Sequence, residues 1–238
     1  MACRAEPSDR SELVNQLLYG EHYEVLESNE RWLRIENALD AYQAWVPKEQ
    51  FHDFQMDTST VSVLTRAARI LGPGKPSSWI LLSPGSRLTK EEFQSVESTD
   101  KPDDANAAVP LSKHGILSLA LSFLNSPYLW GGRSLWGIDC SGFAQVLFLC
   151  AGISLPRDAH EQALIGEKIP FELKKPLDLA FFSNQEGRIV HVGLILEGNA
   201  IIHASGKVRI DSLSEEGIIH SESGKRTHTL NHLTRLTL

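Results

Sequence analysis

The sequence predicts an α+β protein in which β-rich modules precede a compact mixed domain, and three observations carry that prediction. Short β-type segments separated by polar turns fill the N-terminal part; a charged, apolar-poor stretch runs from Thr89 to Val109; and beyond Pro110 two helical patterns lead into two strongly apolar strands.

From Glu21 to Trp45 the segments HYEVLE, RWLRIE and AYQAWV read as strands. Trp32, Arg34 and Glu36 alternate with Leu33 and Ile35, the period of a strand with one wet face, so residues 1–55 are expected to form a small antiparallel β-barrel or meander. Residues 56–109 repeat this character in reduced form. VSVLTRAARIL and SWILLSPGSRL flank a Gly-Pro-Gly turn, and the segment from Thr89, with Lys101-Pro102-Asp103-Asp104, reads as a linker. The third domain spans residues 110–238. Its first helix, in LSKHGILSLALSFLN, places Ile116, Leu117, Ala120, Leu121 and Leu124 on one face.

A second helix opens at GIDCSGF, where Phe143, Val146, Leu147 and Cys150 recur at helical spacing and Gly152 supplies a stop. Cys140 then sits in the first turn with Asp139 as N-cap. A thiol at that end of the helix dipole is expected to have a lowered pKa and to serve as a nucleophile. Cys150 falls on the apolar stripe and reads as core, and Cys3 lies in a terminus expected to fray.

A thiol nucleophile needs a base. RIVHVGLIL carries His191 on a strong strand, and AIIHASG carries His203 on the next. A two-residue loop between them would put the rings on opposite faces. A three-residue loop, Glu197 to Asn199, pairs Leu196 with Ala200 and His203 with Gly193, leaving both rings on one face, and this register is predicted. His191 would take the thiol proton and His203 would orient its ring.

Composition narrows the partners. With 23 basic and 30 acidic residues the net charge is −7, which disfavours binding to nucleic acid or to anionic lipid. No apolar run approaches the roughly 20 residues of a membrane span. Arg4, Glu6, Asp9, Arg10 and Glu12 interrupt the place where a signal peptide's apolar stretch would stand, so a cytoplasmic monomer is expected, or a periplasmic or secreted protein if an upstream signal was removed. Three cysteines without a CxxC pair predict neither a disulfide framework nor a structural zinc. His228 and His232 read as solvated residues of a terminal strand rather than metal ligands. No second His follows His160-Glu161 at zincin spacing, and no GxxxxGK or GxGxxG occurs, so no metal or cofactor is expected.

YLWGG (128–132), GIDCSGF (137–143), LPRDA (155–159), HVGLIL and the downstream His203, in this order, resemble the NlpC-type cell-wall cysteine peptidases, a papain-like family, over about residues 111–213. The resemblance implies Cys140 as nucleophile, His191 as base, His203 as third polar member and Tyr128 as an oxyanion donor, with Asp139, Ser141 and Asp158 lining the cleft. EPSDRSELVNQLLYGE and YQAWVPKEQF are similar to the bacterial SH3-like modules that precede this domain in γ-D-glutamyl-L-diamino-acid endopeptidases. The expected architecture is thus a papain-like catalytic domain preceded by one full and one reduced SH3-like β-barrel. The implied substrates are peptidoglycan-derived muropeptides, cut between γ-D-Glu and Lys or diaminopimelate. A free N-terminal L-Ala would meet Glu12 and Tyr42, with Glu6 and Glu21 as competing carboxylates. An amidase or acyltransferase on the same scaffold, or an inactive wall-binding protein, are the alternatives.

Overall fold

The structure is a computed structural model that describes residues 1–50, 61–71, 79–96 and 110–237. Alternating side chains build the first sheet from β1 (Ala2–Arg4), β2 (Leu13–Gln16), β3 (Tyr23–Ser28), β4 (Trp32–Asn37) and β5 (Gln43–Pro47), in the order β2-β1-β5-β4-β3. Cys3, Leu33, Ile35, Ala44 and Val46 share its core while Arg34 faces outward. Two expectations fail here. The terminus is not frayed, because the Met1 ammonium donates to the Leu17 carbonyl at 2.7 Å and Cys3, on β1, is 1 % exposed. Trp32, expected on the wet face, is buried at the end of its strand, opposite Pro47.

Next come β6 (Val61–Val63), β7 (Ala68–Leu71), β8 (Trp79–Leu82) and β9 (Arg87–Thr89). Among the described residues they form two separate antiparallel ladders, β6 with β9 and β7 with β8, around Leu64, Ile70, Leu82 and Leu88. The Gly-Pro-Gly turn and the segment Lys101 to Asp104 lie outside the described residues. The linker expected from Thr89 begins instead as a helix, α1 (Lys90–Gln94). Its charges are a capping box: Glu92 N–H donates to Thr89 Oγ1 at 3.2 Å and Thr89 N–H to Glu92 Oε2 at 2.9 Å.

The third unit begins with α2 (Lys113–Ser122), whose Ser112 side chain caps the first turn. Its buried face is Ile116, Leu119 and Ala120, whereas Leu121 and Leu124 are exposed. The helix stops at Ser122, and the following turn, with Asn125 at φ 68°, drives Phe123 rather than Leu124 into the core. A short ladder of β10 (Arg133–Ser134) and β11 (Gly137–Ile138) then feeds α3 (Cys140–Cys150). Every residue of α3 is buried. The stripe read from sequence covers only its apolar face; the polar side is covered too, with Gln145 donating to Asp40 Oδ2 of the first unit at 2.7 Å and to the Leu155 carbonyl at 2.9 Å. Cys150 packs in the core as expected, its thiol donating to the Leu64 carbonyl at 3.4 Å.

After α4 (Ala159–Gln162) come β12 (Glu167–Ile169), β13 (Leu179–Ser183), β14 (Ile189–Ile195), β15 (Ala200–Ser205), β16 (Lys207–Ser214), β17 (Gly217–Ile219) and β18 (Arg226–Arg235). The sheet order is β12-β18-β13-β14-β15-β16-β17, and β17 also pairs with β18, which closes the strands from β13 to β18 into a barrel. One face of the strands packs Phe181, Val192, Leu194 and Ile202 against α2 and α3. The other fills the barrel with Ala180, Phe182, Ile195, Ile201, Leu213 and Ile218.

The first unit is fastened to the third by buried polar contacts. Arg133, 0 % exposed, forms a two-pronged pair with Glu21, Nη1 to Oε2 and Nη2 to Oε1, both at 2.8 Å. Gln16 accepts from the Arg133 N–H through Oε1 and from Nη1 through its carbonyl, each at 2.9 Å. Gly131, at φ +75°, lets the chain pass β2 so closely that a Cβ would stand 2.4 Å from the Leu13 carbonyl oxygen. Glu21→Ala leaves the Arg133 charge buried without its partner, and is expected to cost about 3–5 kcal/mol, read by urea unfolding. A change within 0.5 kcal/mol, roughly the range of an ordinary surface substitution, would show that the pair does not fasten the units.

Candidate active site

Helix α3 starts where Asp139 caps it. Asp139 Oδ1 accepts from Gly142 N–H at 2.7 Å, and Oδ2 accepts from Gly131 N–H at 2.8 Å. Arg157, 1 % exposed, donates to both oxygens, to Ser141 Oγ at 2.8 Å and, through Nε, to Asn15 Oδ1 of the first unit at 2.9 Å. The Asp139 carboxylate is therefore occupied by internal donors, and it fixes Cys140 at the mouth of a cleft of about 560 Å³. Glu12, Tyr42, Asp139, Cys140, Ser141 and Asp158 all line that cleft.

The register expected for the two histidine strands is the one observed. Leu196 N–H donates to the Ala200 carbonyl across a three-residue loop, and Leu194 pairs with Ile202. Gly193 is required opposite His203, since a Cβ there would lie 2.7 Å from Ile201 Cδ1 and 3.1 Å from His203 Cβ. The backbone N–H of Val192, next to His191 on β14, donates to the Cys140 thiol. His191 Nε2 stands 2.8 Å from His203 Nδ1, and both rings are buried.

Beyond His203 lies a residue that the sequence reading missed. His203 Nε2 is 3.0 Å from Asp211 Oδ2, and Asp211 also accepts from Arg209 Nε at 2.9 Å, Arg209 Nη2 at 3.0 Å and Ser221 N–H at 2.8 Å. Those donors hold the Asp211 carboxyl well below its ordinary range despite burial. An ionised Asp211 accepts only, so His203 carries its proton on Nε2 and presents a lone pair at Nδ1. His191 must then donate Nε2–H to His203, which leaves its Nδ1 unprotonated as the free base nitrogen. An Asp inside KVRIDSLS, the strand that follows AIIHASG, was the available signal; pairing of Ile201 with Asp211 and of His203 with Arg209 puts all four on one face.

Electrostatics reverse one expectation. Burial and the Asp139 carboxylate push the Cys140 thiol up to about 12, against the Val192 and Ser141 N–H groups and Arg157, which pull it down. The helix terminus alone would have lowered it; the closed surroundings of α3 outweigh that effect. Burial also lowers His191 well below its ordinary value, with His228 and His203 adding to the effect, and takes His203 to about 4. Thiol and imidazole are both neutral at rest near pH 7.

Tyr128 bridges to Ile138, two residues before Cys140, and burial with the nearby thiol raises its hydroxyl to about 12, so it remains a donor. On the far wall, Glu12 Oε1 accepts from Trp130 Nε1 at 2.6 Å. Tyr42 is raised to about 12 by burial and by Asp158. Asp158 begins α4 without using its side chain as a cap, so its carboxylate faces the cleft. Glu21 is removed from the competing carboxylates by its bond to buried Arg133, and Glu6 is exposed outside the cleft lining. His228 and His232 are half-buried rather than solvated. A bulge in β18 between them turns them to opposite faces: His232 stacks on Phe181 and His228 on His191.

Residues 125–226 match the NlpC/P60 family, and residues 3–51 match the bacterial dipeptidyl-peptidase SH3 domain. Residues 125–226 are an NlpC/P60 domain. The chain is 42 % identical over 118 residues to the gamma-D-glutamyl-L-lysine dipeptidyl-peptidase of Bacillus subtilis (strain 168), a match spanning 45 % of the chain and 40 % of that relative. It is 24 % identical over 256 residues to the protein of the same name from Bacillus cereus (strain ATCC 10987 / NRS 248), covering 93 % of the chain and 77 % of that relative. The crystal structure of an NlpC/P60 family protein from Bacillus cereus ATCC 10987 superposes with a TM-score of 0.75 at 21 % identity, over 94 % of this chain and 82 % of that one, and shares its fold. The SH3 match gives a name to the N-terminal sheet.

Proposed function

We propose that the protein is a cysteine peptidase that hydrolyses the γ-D-glutamyl-L-diamino-acid bond of peptidoglycan peptides bearing a free N-terminal L-Ala. The observation that carries this reading is the hydrogen-bonded line His191–His203–Asp211, which leaves one basic nitrogen for the thiol of Cys140 in a cleft walled by the SH3 domain. Named relatives with γ-D-glutamyl-L-lysine dipeptidyl-peptidase activity support the substrate class.

In this mechanism the Cys140 proton passes to His191 Nδ1 as sulfur attacks the γ-carbonyl carbon of D-Glu. The first N–H of α3, at Cys140, has no intrahelical partner, and together with the Tyr128 hydroxyl it receives the oxyanion. His191 returns the proton to the departing amine as the C–N bond breaks, leaving a thioester. Water then attacks the thioester, giving its proton to His191, and the thiol is re-formed as L-Ala-D-Glu leaves. Because thiol and base start neutral, the ion pair forms only as the reaction proceeds.

Glu12, Asp158 and the Tyr42 hydroxyl close one end of the cleft with acceptors suited to the L-Ala ammonium. Incubation with L-Ala-γ-D-Glu-L-Lys and with its N-acetylated form, followed by mass spectrometry, tests both parts. Release of L-Ala-D-Glu from the free-amine peptide alone is expected. Equal cleavage of both would discard the amine role of Glu12 and Tyr42; cleavage of neither would discard the peptidase. Burial lowers both His191 and the His228 ring beside it, and the base must be unprotonated to accept, so the acid limb of kcat/KM is expected to have its midpoint below the ordinary His value of about 6.5. A midpoint at or above 6.5 would contradict the buried base.

A further inference from the structure

One titratable ring beside the base has no part in the steps above. His228, on β18, stacks face to face on His191 with ring centroids 4.2 Å apart and planes 24° apart. It also meets His203 edge-on at 5.7 Å and Phe182 at 5.9 Å, and its Nδ1 lies 2.9 Å from Thr227 Oγ1. Strand pairing explains its position: Phe182 stands opposite both His191 on β14 and Leu230 on β18, which places His228 two residues further along the same face.

We propose that His228 is a positioning residue for the base, bracing His191 and receiving its imidazolium on a neutral aromatic face, and that protonation of His228 turns the base off. This rests on the peptidase reading only for the identity of the reaction. Stacking limits the tilt of His191, whose Nε2 is already tied to His203, so the ring and its free Nδ1 are held in one orientation. When Cys140 gives up its proton, the new imidazolium lies over the ring face of His228, a favourable cation–π arrangement. A protonated His228 inverts this, because two unit charges 4.2 Å apart at an effective dielectric constant of about 20 disfavour the ion pair by roughly a thousandfold.

The other titratable and charged groups around the pair are Cys140 from α3, His203 from β15, and Asp211 with Arg209 from β16. Asp211 is bound to Arg209 and His203, and its charge also favours a proton on His228. His228 is less deeply buried than His191, and its pKa is lowered by burial while Asp211 raises it. It therefore takes a proton before His191 does, and sets the acid limb of the wild-type protein.

Two variants separate bracing from titration. His228→Phe keeps an aromatic face that cannot be protonated, and His228→Ala removes the face. Two readouts are followed against pH: kcat/KM on L-Ala-γ-D-Glu-L-Lys, and the rate of Cys140 alkylation by iodoacetamide, resolved from Cys3 and Cys150 by peptide mapping. His228→Phe is expected to match wild type within about threefold at pH 8 and to move the acid limb of both profiles down by about one pH unit, because the remaining titration belongs to the more buried His191. His228→Ala is expected to lose about tenfold in kcat and alkylation rate at pH 8 with KM unchanged. Coincident acid limbs for wild type and His228→Phe overturn the proposal, as does a wild-type rate in His228→Ala. If His228→Ala does not fold, His228→Phe alone decides. If the wild-type protein alkylates as described but leaves the peptide intact, the peptidase reading fails while the alkylation profiles still decide the role of His228.

Discussion

Cys140→Ala is expected to lower kcat on L-Ala-γ-D-Glu-L-Lys by about 10⁶-fold, the size of loss seen when a catalytic nucleophile is removed from a concerted set of groups. Alanine at this position keeps the N-cap by Asp139 and the first N–H of α3, so substrate binding and the oxyanion donor survive while the covalent step is lost. Cys150→Ala, at the other end of the same helix, is the control. Its thiol packs in the core, donating to the Leu64 carbonyl and accepting from the Gly85 N–H, so the change is expected to lower stability and leave kcat unaltered. Turnover in the first variant at even a hundredth of the wild-type rate would place the nucleophile elsewhere.

Asp211→Asn is expected to lower kcat about 10³-fold with KM nearly unchanged, the effect of a wrong imidazole tautomer carried through one more ring. The argument is one of donors and acceptors. Asp211 Oδ2 receives His203 Nε2 and Arg209 Nε, and Oδ1 receives Arg209 Nη2 and Ser221 N–H. An amide cannot accept at both positions. With NH₂ toward His203 it drives that ring to the Nδ1–H tautomer, which confronts His191 Nε2 with a donor and moves the His191 proton onto Nδ1, where the base is needed. With NH₂ toward Ser221 it opposes two donors. Nitrogen-15 NMR of the two imidazoles distinguishes this tautomer change from simple loss of packing, and an unchanged kcat would remove Asp211 from the positioning line.

The helix-start position of Cys140 and the shared face of His191 and His203 were legible because local chemistry determines them. An Asp-Cys-Ser run at a helix start has few structural uses, and hairpin register follows from loop length and from Gly193 alone. What was not legible depends on what covers each element. No local pattern marks Arg157 and Arg133 for burial, yet both are buried because the SH3 domain supplies Asn15, Glu21 and Gln16 as partners from more than 100 residues away. Burial and the Asp139 carboxylate turned the Cys140 pKa upward where the helix dipole alone predicted a fall. Asp211 escaped notice because its partner His203 is brought to it across a sheet, and His228 because a bulge in β18 decides which face it takes.

The most direct test of a thioester on Cys140 is acid quenching of the protein during turnover of L-Ala-γ-D-Glu-L-Lys, followed by peptide mapping by mass spectrometry. The account predicts an L-Ala-D-Glu acyl group on the peptide that carries Cys140, absent from Cys140→Ala and enriched in Asp211→Asn if water attack is slowed more than acylation. Product release by the wild-type protein with no acyl group on Cys140, together with undiminished turnover in Cys140→Ala, would contradict it.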